Sequence, residues 1–131
     1  VQGDAQHIPF GDRFASCITI AYGIRNIKDP MKCLEEAFRV LQPGGKIGIL
    51  ELTEPSNPLL RLGHNLYLRM ILPTLGKFIT SNEDAYQYLQ RSIKEFVPPA
   101  KLEEMLTSAG FKHTKRIPLL GGIATIITGT A

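Results

Sequence analysis

Cys17-Ile18-Thr19-Ile20-Ala21-Tyr22-Gly23-Ile24-Arg25-Asn26 is the stretch that decides the fold. Its opening Cys17–Ile20 is short, apolar and rich in β-branched side chains, which predicts a buried strand. Small residues follow at Ala21 and Gly23, where the strand ends. A cation and an amide come next, Arg25 and Asn26, and Asp29-Pro30 then offers a cap and a first-turn proline for a helix. In an open α/β sheet, ligands bind beyond the carboxyl ends of the strands. Arg25 and Asn26 are thereby placed at the mouth of a candidate site.

Downstream, Leu34, Ala37, Phe38 and Leu41 fall at i, i+3, i+4 and i+7, one apolar helical stripe. Pro43-Gly44-Gly45 is expected to end that helix and turn the chain into a strand over Lys46–Leu52. Strand, helix, strand is a βαβ unit, so the two strands are expected to pair in parallel with a right-handed crossover. Upstream, Val1–Ala5 has the pattern of a strand tail ending in a polar turn, and His7–Asp12 that of a loop.

The pattern changes after Glu54-Pro55. No acidic residue occurs from Pro55 to Asn82, and leucines alternate with Arg61, His64 and Arg69. Pro73 and Gly76 interrupt this run, which predicts short amphipathic helices inserted over the sheet. Ser81 to Asp84 has the form of a capping box. A helix with Ala85, Tyr88, Leu89 and Ser92 is expected after it. Pro98-Pro99 opens a further helix with Leu102, Met105, Leu106 and Ala109 on one face and Gly110 as its stop. Phe111–Leu119 and Ile123–Thr128 are expected to close the sheet as two strands, the latter antiparallel to Lys46–Leu52.

A chain of 131 residues, 44% of them hydrophobic, suffices for one domain with a core. The net charge of +3 is mild. It suits an anionic membrane surface or ligand, while the lack of a Lys/Arg cluster or base-stacking motif argues against nucleic acid. The spacing of His, Cys, Asp and Glu offers no metal site. Two cysteines, Cys17 and Cys33, do not make a disulfide scaffold and fit a reducing cytoplasm. No apolar run is long enough to span a bilayer.

Four stretches together carry a family likeness. They are Gly3-Asp4-Ala5 through Ile8-Pro9-Phe10, Ile20-Ala21-Tyr22-Gly23-Ile24-Arg25-Asn26, Arg39-Val40-Leu41-Gln42-Pro43-Gly44-Gly45, and Tyr86-Gln87-Tyr88-Leu89-Gln90-Arg91-Ser92-Ile93. With Gly121-Gly122-Ile123 they resemble the ubiquinone/menaquinone biosynthesis C-methyltransferases, the UbiE/MenG family. The likeness runs from end to end but covers only the C-terminal half of such an enzyme. The family's glycine-rich cofactor loop and its ribose-binding acid lie upstream of the part resembled. Ala21 stands where many members have Ser, Gln42 where many have a basic residue, and Leu52-Thr53 where many have Phe-Ser.

The resemblance implies an α/β fold: the C-terminal portion of a class I, Rossmann-like S-adenosylmethionine-dependent methyltransferase. It would be a single partial domain over 1–131, with a helical substrate lid inserted at about 55–97. The implied reaction moves a methyl from S-adenosylmethionine to a ring carbon of a prenylated quinol. Arg25 and Asn26 would be catalytic: Arg25 to stabilise an oxyanion, Asn26 to orient a quinol oxygen. A guanidinium holds its proton too firmly to serve as the base. Asp4 and Ala5 would hold the adenine and Ala21 would contact the cofactor through its backbone; Tyr67, Tyr86 and Tyr88 would line the quinol pocket. Glu51 faces the same rim as a weaker candidate.

Plainer readings stand beside these. Asp4 can cap a turn, Arg25 can pair with Asp29, and the tyrosines can pack a core. Implied partners are the quinol, a transient membrane surface at the inner face and a second copy of the chain. The alternative function is a non-catalytic lipid-surface or partner-binding module. The chain alone is expected to be inactive, with a displaced N-terminus.

Overall fold

The computed structural model describes residues 2–55, 57–66, 88, 91–93 and 95–131. Four strands form one sheet: β1 (Ala15–Ala21), β2 (Leu41–Leu52), β3 (Lys112–Leu119) and β4 (Ala124–Thr130), in the order β1-β2-β4-β3. β1 and β2 are parallel, with Ile18 opposite Ile47 and Ile20 opposite Ile49. β4 runs antiparallel to both β2 and β3. The expected βαβ unit and closing hairpin are both present, and β2 lies between β1 and β4.

Helix α1 (Pro30–Val40) crosses between the parallel strands. Asp29 caps it by accepting from the Lys32 N–H at 3.1 Å, and Pro30 sits in its first turn. Its stripe is one residue shorter than expected, because Leu41 already belongs to β2. Pro43-Gly44-Gly45 therefore falls inside the bounds of β2 rather than at the helix end. There it interrupts the pairing with β1, whose partners jump from Leu41 to Lys46. Gly44, at φ +80°, makes the turn, and Gly44 and Gly45 exchange hydrogen bonds with Ala131. Such a φ suits a residue without a Cβ.

Helix α2 (Pro58–Leu66) follows β2, and α3 (Pro99–Ser108) precedes β3. Gly110 ends α3 at φ +108°, as its sequence position predicts, and a Cβ there would meet the Phe38 ring at 2.9 Å. Alternate residues of β2, namely Ile47, Ile49 and Glu51, are buried. The first two join Leu34, Ala37, Leu102, Leu106, Phe111 and Ile127 in the core between sheet and helices. Phe38 meets Phe111 edge to face at 5.2 Å.

Two expectations are corrected. Cys17–Ile20 is not a buried strand: within β1 only Ala15, Ile18 and Ile20 are even partly covered. Only one of its edges is paired among the described residues. Residues 2–5 do not form a strand tail either. Asp4 makes a single bridge to His7, and the loop beyond, at Ile8 and Phe10, is tied to α1. The Ser81 capping box lies outside the described residues, as does most of the helix expected at Ala85–Ser92; Tyr88, the segment 91–93 and Glu95 are helical. Cys17 is exposed, Cys33 is buried, and both are free; burial pushes the Cys33 thiol up from its ordinary pKa.

Candidate active site

The turn after β1 is shaped by its backbone. Tyr22 adopts φ +54°, an unusual value for a bulky side chain, while its N–H still donates to the Leu50 carbonyl at 2.9 Å. Left-handed backbone at a non-glycine residue costs on the order of 1–3 kcal/mol and is common at functional sites. The chain then closes a 3-10 turn over Ile24–Asn26. Ile24 is fully buried and anchors this turn in the core.

That anchor sends Arg25 inward. Its Nη1 donates to Oε1 of Glu51, and the two side chains are 9% and 1% exposed. Oε1 also accepts from the Leu52 N–H at 2.9 Å. The partner of Arg25 is thus Glu51 across the parallel strands, not Asp29 one turn along the chain. Breaking such a buried pair from one side typically costs about 3–5 kcal/mol, because it strands a charge away from water. Glu51 Oε2 and Arg25 Nε are buried without a hydrogen-bond partner among the described residues.

Asn26 stands beside this pair in sequence. Its Oδ1 accepts from the Tyr88 hydroxyl at 2.8 Å. Arg25, Asn26, Glu51 and Tyr88 therefore meet in two contacts at the carboxyl ends of β1 and β2. The resemblance implies a place for Tyr88 in the quinol pocket, and its hydroxyl engages the amide of Asn26, the residue expected to orient the quinol. Tyr67 and Tyr86 lie outside the described residues.

The second group is the N-terminal loop. Asp4 is exposed and folds its own turn, Oδ1 accepting from the Gln6 N–H at 2.9 Å and from Gln6 Nε2 at 3.3 Å. Those bonds, helped by His7 at 3.6 Å, hold its carboxyl below its ordinary pKa. The turn-capping role is therefore real. It leaves Oδ2, whose described neighbour is His7, as an acceptor of the kind an adenine amino group needs. Ala21 is exposed at the end of β1, where its backbone can approach a ligand.

Glu36 and Arg39 fix this loop from α1. The Ile8 N–H donates to Glu36 Oε2 at 2.9 Å, and Arg39 donates to the carbonyls of Ile8 and Phe10 at 3.1 Å. Arg39 also binds Asp12 at 2.6 Å and Glu36 at 2.7 Å. The Arg39 bonds lower the Glu36 pKa, and Glu36 and Asp12 together raise that of Arg39. Sequence inspection missed this clamp. The available signal was an acid and a base three apart on one helix, which is too common to single out. Among the described residues no cluster of His, Cys, Asp or Glu is suited to a metal, and no helix is long and apolar enough to cross a membrane.

The profile of the ubiE/COQ5 methyltransferase family matches residues 1–131. The chain belongs to that family. It is 57% identical over 129 residues to a demethylmenaquinone methyltransferase of Protochlamydia amoebophila, covering 98% of this chain and 53% of the relative. A ubiquinone/menaquinone biosynthesis C-methyltransferase UbiE of Saccharophagus degradans is 42% identical over 128 residues, covering 98% and 51%. The chain thus spans about half the length of these curated relatives. A SAM-dependent methyltransferase of Thermotoga maritima, described as a possible histamine N-methyltransferase, superposes with a TM-score of 0.63 at 17% identity, covering 99% of this chain and 62% of that one. Human N-acetylserotonin methyltransferase in complex with SAM gives 0.59 at 20% identity, covering 99% and 32%. At these identities the superpositions establish the fold, that of the SAM-dependent methyltransferases.

Proposed function

We propose that this family member forms the quinol-facing half of an S-adenosylmethionine-dependent C-methyltransferase acting on a prenylated quinol in quinone biosynthesis. The observation that carries the proposal is the buried, charge-paired Arg25 at the carboxyl end of β1, with Asn26 beside it. Residues 1–131 make one partial domain, with the segment at about 55–97 as a substrate-covering insertion.

Asp4 and Ala5 hold the adenine end of the cofactor, and the backbone at Ala21 borders it. Asp4 fits that task because one carboxylate oxygen is committed to the turn while the other can accept. S-adenosylmethionine supplies an electrophilic methyl, so the protein's work is placement and electrostatics. Arg25 stabilises the phenolate form of the quinol, whose oxygen gives electron density to the ring carbon; that carbon takes the methyl and then loses its proton to water, restoring the aromatic ring. A donor fixed before the reaction acts without reorganising in the transition state. Asn26 orients a ring oxygen and is itself set by Tyr88; Tyr67 and Tyr86 complete the quinol pocket. Exchanging Arg25→Ala, with the family's N-terminal half supplied, is expected to lower kcat about a hundredfold or more. A kcat near that of the unsubstituted protein would remove Arg25 from the chemistry.

The substrate's lipid tail requires approach to a membrane, and α2 favours it. Leu59, Leu62 and Leu66 are exposed on that helix with Arg61 and His64 between them. Apolar burial plus attraction to anionic lipid is how such helices bind interfaces. The same feature supports the second reading, a lipid-surface module without catalysis. Vesicle co-sedimentation tests the contact: Leu59→Gln/Leu62→Gln should weaken binding to anionic vesicles. Loss of vesicle binding with quinol methylation absent throughout would favour the module.

A further inference from the structure

We propose that Glu51 is the positioning residue for Arg25, an assignment that rests on the methyltransferase role proposed above. Glu51 occupies a core slot. Along β2 the inward positions run Ile47, Ile49, Glu51, and the first two are ordinary core isoleucines. The third, opposite buried Thr125 on β4, is an ionisable side chain with 1% exposure. A pair of apolar side chains would fill such a space without taking two charges out of water, and is often at least as stable. The ion pair is therefore poorly explained by stability.

Its geometry explains it better. Oε1 of Glu51 is tied to its own strand by the Leu52 N–H and at the same time receives Arg25 Nη1. The carboxylate is held by a backbone that the β1 and β4 ladders keep rigid on both sides. Through it the guanidinium acquires a fixed place at the end of β1. A pair serving packing alone would be expected to satisfy its remaining polar atoms. This one keeps an acceptor, Oε2, and a donor, Arg25 Nε, buried and unpaired among the described residues. Arg25 touches the substrate oxygen; Glu51 acts through Arg25.

The experiment supplies this chain with the family's N-terminal half and measures kcat and the KM for each substrate. Glu51→Gln keeps an oxygen for the Leu52 N–H but loses the charge. It is expected to lower kcat by about tenfold or more while the KM for S-adenosylmethionine stays within about twofold. In an Arg25→Ala background the same exchange should add no further loss, because residues acting as one unit are not additive. Added guanidine should restore part of the activity of Arg25→Ala, but not of Arg25→Ala/Glu51→Gln, which lacks the carboxylate that seats it. If Glu51→Gln does not fold, Arg25→Ala/Glu51→Leu takes its place, since it leaves no buried charge. Rescue by guanidine in either double variant overturns the proposal. So does a normal kcat for Glu51→Gln when Arg25→Ala is slow, an outcome that leaves the proposed function standing. A normal kcat for Arg25→Ala would instead remove the role on which the proposal rests.

Discussion

At the scale of single residues, the proposed function separates groups that would act on affinity from groups that would act on rate. In the proposed function Asp4 would meet a part of the cofactor that does not change during methyl transfer, so its contact would be equally strong before and at the transition state. Asp4→Ala is expected to raise the KM for S-adenosylmethionine with little change in kcat, read from initial rates; an equal loss in kcat would place Asp4 in the chemistry. Tyr88 presents the opposite case. Its hydroxyl bond to Asn26 is exposed, and a hydrogen bond of this kind contributes roughly 0.5–1.5 kcal/mol. Tyr88→Phe should therefore lower kcat/KM for the quinol by no more than about tenfold and leave the melting temperature in place. A large loss of stability would return Tyr88 to the packing role that sequence alone also allowed.

At the scale of elements, α1 joins the two groups of the site. It begins at the Asp29 cap just after Arg25–Asn26 and ends with the Glu36–Arg39 clamp on the Asp4 loop. Arg39→Ala should loosen residues 8–12 without melting α1, seen as faster tryptic cleavage after Arg13 and a higher KM for S-adenosylmethionine. The clamp is also pH-dependent. The folded state depresses the Glu36 pKa below its ordinary 4.5, chiefly through the Arg39 bond. Glu36 therefore contributes its full stability above that ordinary value, and the contribution is lost as pH falls through the lower, folded value. Exchange of the amide protons of residues 8–12, relative to their intrinsic rates, should accelerate in that acid window in the unsubstituted chain, whereas Glu36→Gln should show fast exchange at neutral pH as well. Just past the end of α3, Gly110→Ala would combine a positive φ with a clash on Phe38, and is expected to destabilise by about 1–3 kcal/mol in thermal melts.

For the whole molecule, the two edges of the sheet differ in kind. β3 carries Lys112, Lys115, Arg116 and Pro118, the residues that blunt a free edge. β1, Ala-Ser-Cys-Ile-Thr-Ile-Ala, carries no charge at all. An uncharged, half-covered edge is built to be paired. Alone, this chain should self-associate in sedimentation experiments, and Thr19→Lys should reduce that association. It should also bind S-adenosylmethionine more weakly than micromolar, because Asp4 and Ala5, the residues proposed to hold the cofactor, would address only its adenine end. Micromolar binding in a calorimetric titration of the 131-residue chain would show that the cofactor site is misplaced. A monodisperse monomer would count against the open edge.

Much of this protein is local and could be taken from the chain directly. Asp29-Pro30 starts a helix because a carboxylate and a proline satisfy or remove its first N–H groups. Gly110 stops one because it tolerates a left-handed backbone. Alternating apolar residues assign Ile47 and Ile49 to one face, and the strand–helix–strand order implies parallel pairing. What neighbours in sequence cannot determine is which distant groups come face to face. Arg25 had a plausible partner four residues on in Asp29, yet it pairs with Glu51, 26 residues away. That choice follows from the register that sets Ala21 opposite Leu50 and carries Glu51 to the level of the turn. Arg39 likewise reaches back across 27 to 31 residues to Asp12, Phe10 and Ile8. The exposure of β1 was hidden for the same reason: a strand's burial depends on what lies beside and above it, and the composition of the strand does not contain its neighbours.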